Sequence, residues 1–270
     1  MEELTKKYPH LESIIAEVTE VAGYLWRRGW AERNAGNISV NIGHLMDNEA
    51  GVTDELVWHH LPTTYPNLSK QYFLVTATGK RMRDLAKNPS GNALIIQLNL
   101  EANSFCILSR DANDAILPTS ELPTHLGIHQ MIAARGSREK VVMHSHVTEL
   151  IALTQAKEHC NKTALNRLLF AMHPETIIFV PKGVGFVPYL LPGSEAIAEA
   201  TLKALEQHDV ALWEKHGVFS IGEQVGATFD VLDILAKSAA IYMMCKSANI
   251  IPEGFTDEQL AELKLLADKF

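Results

Sequence analysis

The run VVMHSH at residues 141–146 sets His144 and His146 one residue apart, behind β-branched and apolar side chains. On a strand, residues two apart point to the same side, so the two imidazoles share a face. A third, His216, lies in WEKHGVFSIG, between the start of an apolar strand and Gly217, where a missing side chain lets a backbone come close. Three neutral imidazoles with a fourth position open are the ligand set of a catalytic zinc ion. A structural zinc would want four closed ligands, often cysteines, and this chain has no such set. The expected metal at His144, His146 and His216 is therefore one that does chemistry, although three histidines accept several divalent ions.

Glu121, in LPTSELPTHL, stands just before a helix that begins with proline. A carboxylate there can stabilise the helix N-terminus, or it can serve as a general base whose proton affinity is raised by the apolar neighbours Leu117 and Leu122. Spacing alone leaves both readings open. His125 and His129, one helical turn apart, could form a second metal pair, but the acidic residue of an H-E-x-x-H site is missing. The remaining histidines, His10, His44, His59, His60, His159, His173 and His208, are expected at the surface. TATGK (76–80) and RNAGN (33–37) are short loops next to apolar strands, and their backbone N–H groups, hydroxyls and amides suit a phosphate dianion. Neither has the spacing of a Walker loop or of a dinucleotide fingerprint.

These residues need a scaffold. Residues 10–29 carry Leu11, Ile14, Ile15, Val18, Val21, Ala22 and Leu25 at helical spacing. NISVNIG, QYFLVTA, NALIIQLNL, SFCILS, EKVVMHSH and ETIIFVP read as strands, and VALWEKHGVFSIG as a strand pair. LPTHLGIHQMIAARG reads as a helix with Pro123 in its first turn and Gly136 at its end. VTELIALTQAK, SEAIAEATLKALEQHD and ATFDVLDILAKSAAIYMMCKSA are also helices by spacing. The alternation predicts a layered α/β domain over residues 1–270, with the stretch at about 41–72 as an inserted loop region around ELVWHHL. A hydrophobic fraction of 47% and a charged fraction of 21% fit an ordinary globular protein. The net charge of -8 includes no Lys/Arg block to follow a nucleic-acid backbone, so nucleic acid is not an expected partner. Cys106, Cys160 and Cys245 are too few and too far apart for a disulfide framework, which fits a reducing compartment. With no signal-like N-terminus and no apolar run of roughly 18 residues, a cytoplasmic protein without membrane contact is expected.

In order along the chain, ERNAGNISV, VTATGK, LPTSELPTHL, VVMHSH and WEKHGVF resemble the class II, zinc-dependent sugar-phosphate aldolases, a superfamily that also holds epimerases, dehydratases and non-catalytic adducin heads. The ERN-x-GN form of the first loop, the insertion and the Glu before LPTH favour the branch that cleaves a ketose 1-phosphate to dihydroxyacetone phosphate and L-lactaldehyde. The resemblance implies a largely antiparallel central sheet flanked by helices, in a three-layer arrangement. It implies one zinc per subunit on His144, His146 and His216, and Glu121 as the catalytic acid/base. Asn37, Thr78, Gly79, Thr119 and Ser120 would cradle the phosphate, and Asn34 would steady the enolate oxygen. Glu175, in HPETIIFV, falls where a second acid reaches into a neighbouring subunit's site in a homotetramer. The short end at Phe270 departs from the family and puts any contribution from an extended tail in doubt. A zinc hydratase is the alternative outside this superfamily, but it would have no need of phosphate loops.

Overall fold

The computed structural model describes residues 2–46, 56–109 and 115–267. The first amphipathic stretch is a helix, Glu12–Arg27, which buries Ile15, Val18, Val21, Ala22 and Leu25 on one face. Gly29, at φ +74°, ends it, and the fully buried Trp30 anchors the turn that follows. The chain then enters the first strand.

Among the described residues the strands are β1 (Asn37–Asn41), β2 (Trp58–His60), β3 (Tyr72–Thr76), β4 (Ala93–Leu98), β5 (Ser104–Ile107), β6 (Val141–Ser145), β7 (Val184–Val187), β8 (Val210–Trp213) and β9 (Gly217–Gly222). They form one sheet in the order β2-β5-β4-β3-β1-β6-β9-β8-β7. The pairs β2–β5, β5–β4, β4–β3, β3–β1, β1–β6 and β8–β9 are antiparallel, and β7–β8 is parallel. With helices flanking it, this is the α/β architecture expected, with a largely antiparallel sheet. β3, β4 and β6 are buried along their whole length, so they read in the sequence as largely apolar runs without strand alternation.

Packing gathers the chain into two compact parts, residues 1–145 with 221–226, and residues 146–220 with 227–270. In the first, Phe73, Val75, Leu94, Ile96 and Leu98 pack with Leu122 and Leu126 of the helix Leu122–Ala134. Each such side chain, once fully buried, contributes about 1.5–3 kcal/mol. That contact fixes the helix whose N-terminus carries Glu121. In the second, the helix Glu195–Leu205 is capped by Ser194, whose Oγ accepts from the Ile197 N–H at 3.3 Å.

Two expectations are corrected. ETIIFVP is not a strand: Pro174–Phe179 is a short helix. Proline at its start gives up no needed N–H, and Glu175 lies in the first turn where a negative charge is favoured. Buried Thr176 then ties it to the long helix Val225–Ser247 through a 2.6 Å hydroxyl contact with Ser238. The strand in this region is β7, at VGFV, which the apolar pattern did not single out. The helices Lys162–Met172 and Asp257–Ala267 were likewise not read from the sequence. In the insertion, Trp58–His60 of the ELVWHHL segment pairs with β5, while residues 47–55 lie outside the described residues. No helix among the described residues is long and apolar enough to cross a membrane.

Candidate active site

The antiparallel register of β1 and β6 sets Asn37 directly opposite His144. Directly opposed residues in such a pair project to the same face, so these two side chains start out as neighbours. Glu121 joins them from the helix N-terminus. Its carboxylate makes no capping hydrogen bond there. Instead Glu121 Oε2 accepts from Asn37 Nδ2 at 2.5 Å and lies 3.9 Å from His144 Nε2. The Glu121 side chain is only 21% exposed. A carboxylate held by an amide donor beside an imidazole is equipped to carry a proton.

β6 ends at Ser145, so His146 stands just past the strand. His216 closes the β8–β9 hairpin, in a three-residue turn between the paired Trp213 and Gly217. The left-handed residue of that turn is Lys215, at φ +60°, and Gly217 already belongs to the strand. The Lys215 amide donates to Thr154 Oγ1 at 2.8 Å, which stabilises the turn. The rings of His146 and His216 meet edge to face with centroids 5.0 Å apart. One ligand nitrogen from each of His144, His146 and His216 lies within 4.8 Å of the others. Three neutral imidazoles are a donor set that fits a divalent metal ion such as zinc.

The TATGK loop and the stretch that carries Thr119 and Ser120 are brought together. Ala77 and Pro118 form an isolated bridge, the Thr78 amide donates to the Leu117 carbonyl at 2.8 Å, and the Thr119 amide donates to the Thr76 carbonyl at 2.9 Å. Thr119 also reaches toward the base, because its Oγ1 accepts from the Glu121 amide at 3.3 Å. Thr78, Gly79 and Ser120 are exposed, and Gly79 has the positive φ of +67° that this turn requires. Since the Thr78 N–H is already used, its hydroxyl is what it can offer an anion.

In the RNAGN loop, Asn34 is exposed, and Gly36 at φ +79° passes so close to β6 that a Cβ there would sit 3.3 Å from the His144 carbonyl oxygen. Asn37 is buried, and its amide is largely committed. Nδ2 donates to Glu121 and Oδ1 meets His125 Nε2, which leaves one amide hydrogen for a further acceptor. Glu175 lies elsewhere, 45% exposed in the helix Pro174–Phe179, with Oε2 at 3.0 Å from His173 Nε2.

Sequence reasoning missed Ser39, and it set aside His125 and His129. Both histidines are buried. Ser39 Oγ lies 2.7 Å from His125 Nδ1 and 2.8 Å from His129 Nε2, so one hydroxyl joins the two rings. The geometry matches because i, i+4 on a helix advances about 6 Å and i, i+2 on a strand about 6.8 Å. Asn37 and Ser39 therefore face His125 and His129 in step. Burial pushes both imidazoles down to about 3, partly offset at His125 by the Glu121 charge, so both are neutral. The signal available in the sequence was the spacing of two histidines on an otherwise apolar helix. His208, expected at the surface, is also buried, with Nδ1 2.6 Å from the Lys182 carbonyl.

The family described as Class II Aldolase and Adducin N-terminal domain matches residues 16–243. The chain is 41% identical to a rhamnulose-1-phosphate aldolase of Bacteroides thetaiotaomicron over 266 residues, covering 98% of each chain. It is 34% identical to the rhamnulose-1-phosphate aldolase of Listeria monocytogenes (strain EGD-e), covering 95% of this chain and 92% of that one. Among solved structures it is similar to a sugar-phosphate aldolase from Thermotoga maritima, with 32% identity, a TM-score of 0.78, and coverage of 91% of this chain and all of the other.

Proposed function

Because the chain belongs to the class II aldolase and adducin N-terminal domain family, we propose that it is the lyase that reversibly cleaves L-rhamnulose 1-phosphate to dihydroxyacetone phosphate and L-lactaldehyde in rhamnose breakdown. The observation that carries this reading is the 41% identity to a rhamnulose-1-phosphate aldolase over nearly the whole length of both chains. The cluster Asn37–Glu121–His144 supports it, since that is where a proton would be moved next to a metal ligand.

His144, His146 and His216 would hold the metal, which we take to be zinc. When bound, it supplies Lewis-acid stabilisation of the charge that develops on the ketose oxygens as the C3–C4 bond breaks. The chain's own residues do the rest. In the aldol direction Glu121 takes the proton from C3 of dihydroxyacetone phosphate, and the electron pair of that C–H bond stays with the triose as an enediolate, which attacks L-lactaldehyde. In the cleavage direction the same carboxyl returns the proton. Asn37 orients Glu121, and Asn34 steadies the enolate oxygen. Thr78, Gly79, Thr119, Ser120 and the second amide hydrogen of Asn37 grip the phosphate, so that binding energy far from the reacting carbons fixes the orientation of the triose. Glu175, half-buried on its short helix, protonates the aldehyde oxygen in a neighbouring subunit of a cytoplasmic homotetramer.

The test is cleavage of L-rhamnulose 1-phosphate by the purified protein, read as release of dihydroxyacetone phosphate. Cleavage abolished by a chelator and restored by zinc is expected. A metal-loaded protein that leaves this ketose intact would overturn the substrate assignment.

A further inference from the structure

The five side chains behind the metal cluster form one directed chain. With Glu121 ionised, as a base must be, its oxygens only accept, so the Asn37 group facing Oε2 is the donating amide nitrogen. The Asn37 carbonyl oxygen then faces His125 Nε2, and that nitrogen must carry the ring proton. A buried neutral imidazole carries only one, so His125 Nδ1 accepts, and it accepts from the Ser39 hydroxyl. The Ser39 oxygen is then open to the N–H of His129 Nε2. Every bond from His129 to Glu121 points its hydrogen toward the carboxylate. In a chain of this kind each bond polarises the next in a low-dielectric interior.

We propose that His125 is the positioning residue for the base: fixed in its Nε2–H tautomer by Ser39 and His129, it holds the Asn37 amide so that the Asn37 N–H grips Glu121 Oε2 and sets the orientation of the carboxylate. This rests on the reading of Glu121 as the base. If the chain ran the other way, Asn37 would present its carbonyl to the carboxylate, and two acceptors would face each other at 2.5 Å. The direction is therefore set by chemistry at one end and transmitted through two tautomers. Neither histidine touches substrate in this scheme.

The experiment compares His125→Leu, His125→Gln, Ser39→Ala and Glu121→Gln in the metal-loaded enzyme. Histidine ring tautomers in the nitrogen-15-labelled wild-type protein are read alongside. His125→Leu is expected to lower kcat roughly hundredfold, the scale of a small misplacement of a reacting group, with KM and bound metal nearly unchanged. His125→Gln, whose amide N–H can still donate to Asn37, is expected to recover about a tenth or more of wild-type kcat. Ser39→Ala, a small change that spares folding if the leucine variant does not, should lower kcat less and mix the His125 tautomers. Wild-type kcat in His125→Leu, a glutamine variant no better than the leucine one, or a protonated Nδ1 on His125 in the wild type would each overturn the proposal. Glu121→Gln separates the two readings. If it keeps full turnover the base assignment falls, whereas if it loses turnover while His125→Leu is unaffected only the positioning role falls.

Discussion

Glu121 and Glu175 look alike in their local sequence, yet they sit in different environments. Each stands within two residues of a proline at the start of a helix, and each has a histidine within 4 Å. Glu175 faces His173, two residues away, and its side chain is 45% exposed. Glu121 faces His144 and is gripped by Asn37, contacts that span 23 and 84 residues of chain, and its side chain is 21% exposed. A side chain that is nearly half exposed keeps part of its freedom to turn to solvent, so its local partner adds little. A carboxylate fixed by a buried amide keeps one orientation, and that is what a base needs at the moment of proton transfer. The difference comes from the β1–β6 register, which no local motif reports.

The most direct way to break that comparison is to remove each carboxylate in turn. Glu121→Gln preserves shape, so bound metal should stay at wild-type stoichiometry while kcat falls by about a thousandfold, within the range for a positioned acid/base. His146→Ala should lose both metal and turnover, because two imidazoles make a poorer site than three. Metal content by elemental analysis, set against steady-state rates, separates the two variants. Should Glu121→Gln turn over at the wild-type rate, Glu121 would be no more important than Glu175 and the contrast would collapse.

The same contrast explains what could be read from the sequence. The histidine cluster was legible because H-x-H with a third, distant histidine has few other uses, whereas Glu121 and the TATGK and RNAGN loops stood out only through the order of motifs along the chain; most of the helices and strands were legible because their apolar spacing is clear. Ser39 was not, since within NISVN it looks like any polar residue on a strand, and its partners lie 86 and 90 positions away. His125 and His129 were seen as a pair, but the hydroxyl between them comes from that distant strand. ETIIFV misled because a run of five apolar and β-branched residues cannot be assigned by periodicity, and the proline before it, with the Thr176–Ser238 contact, decided for helix. At the β8–β9 turn the glycine drew the eye, while Lys215 took the left-handed conformation.

The buried network should also have a signature in acid. His125 and His129 have their proton affinity driven down to about 3 by burial, against about 6.5 in an unfolded chain. Below pH 6.5 the unfolded state therefore binds protons at these positions that the folded state does not, so stability is full above that pH and falls as pH drops toward 3. Each histidine contributes a slope of up to about 1.4 kcal/mol per pH unit. Denaturant unfolding of wild type and His129→Phe between pH 7 and pH 4.5, at one protein concentration and with chelator present, should give the variant the shallower loss by about that amount. Identical slopes would mean that His129 is already protonated in the fold, and the contrast between a closed interior network and an open surface pair would weaken.

The smallest effect is expected at Glu175, and it sharpens the comparison because it asks where a half-buried carboxylate acts. Glu175→Gln should lower kcat by about tenfold, less than a fully buried acid would, since solvent at a half-buried position can supply some of the protons. If the carboxylate serves the neighbouring subunit, hybrids made by co-expressing Glu175→Gln and Glu121→Gln chains will contain sites that combine an intact Glu121 from one chain with an intact Glu175 from the other. Such hybrids should turn over several-fold faster than the weighted mean of the two parents. Activity equal to that mean would place any role of Glu175 within its own subunit, and wild-type activity in Glu175→Gln alone would make it a surface ion-pair partner of His173 and nothing more. The two glutamates would then differ in kind, one held by the fold for chemistry and one held only by its neighbour.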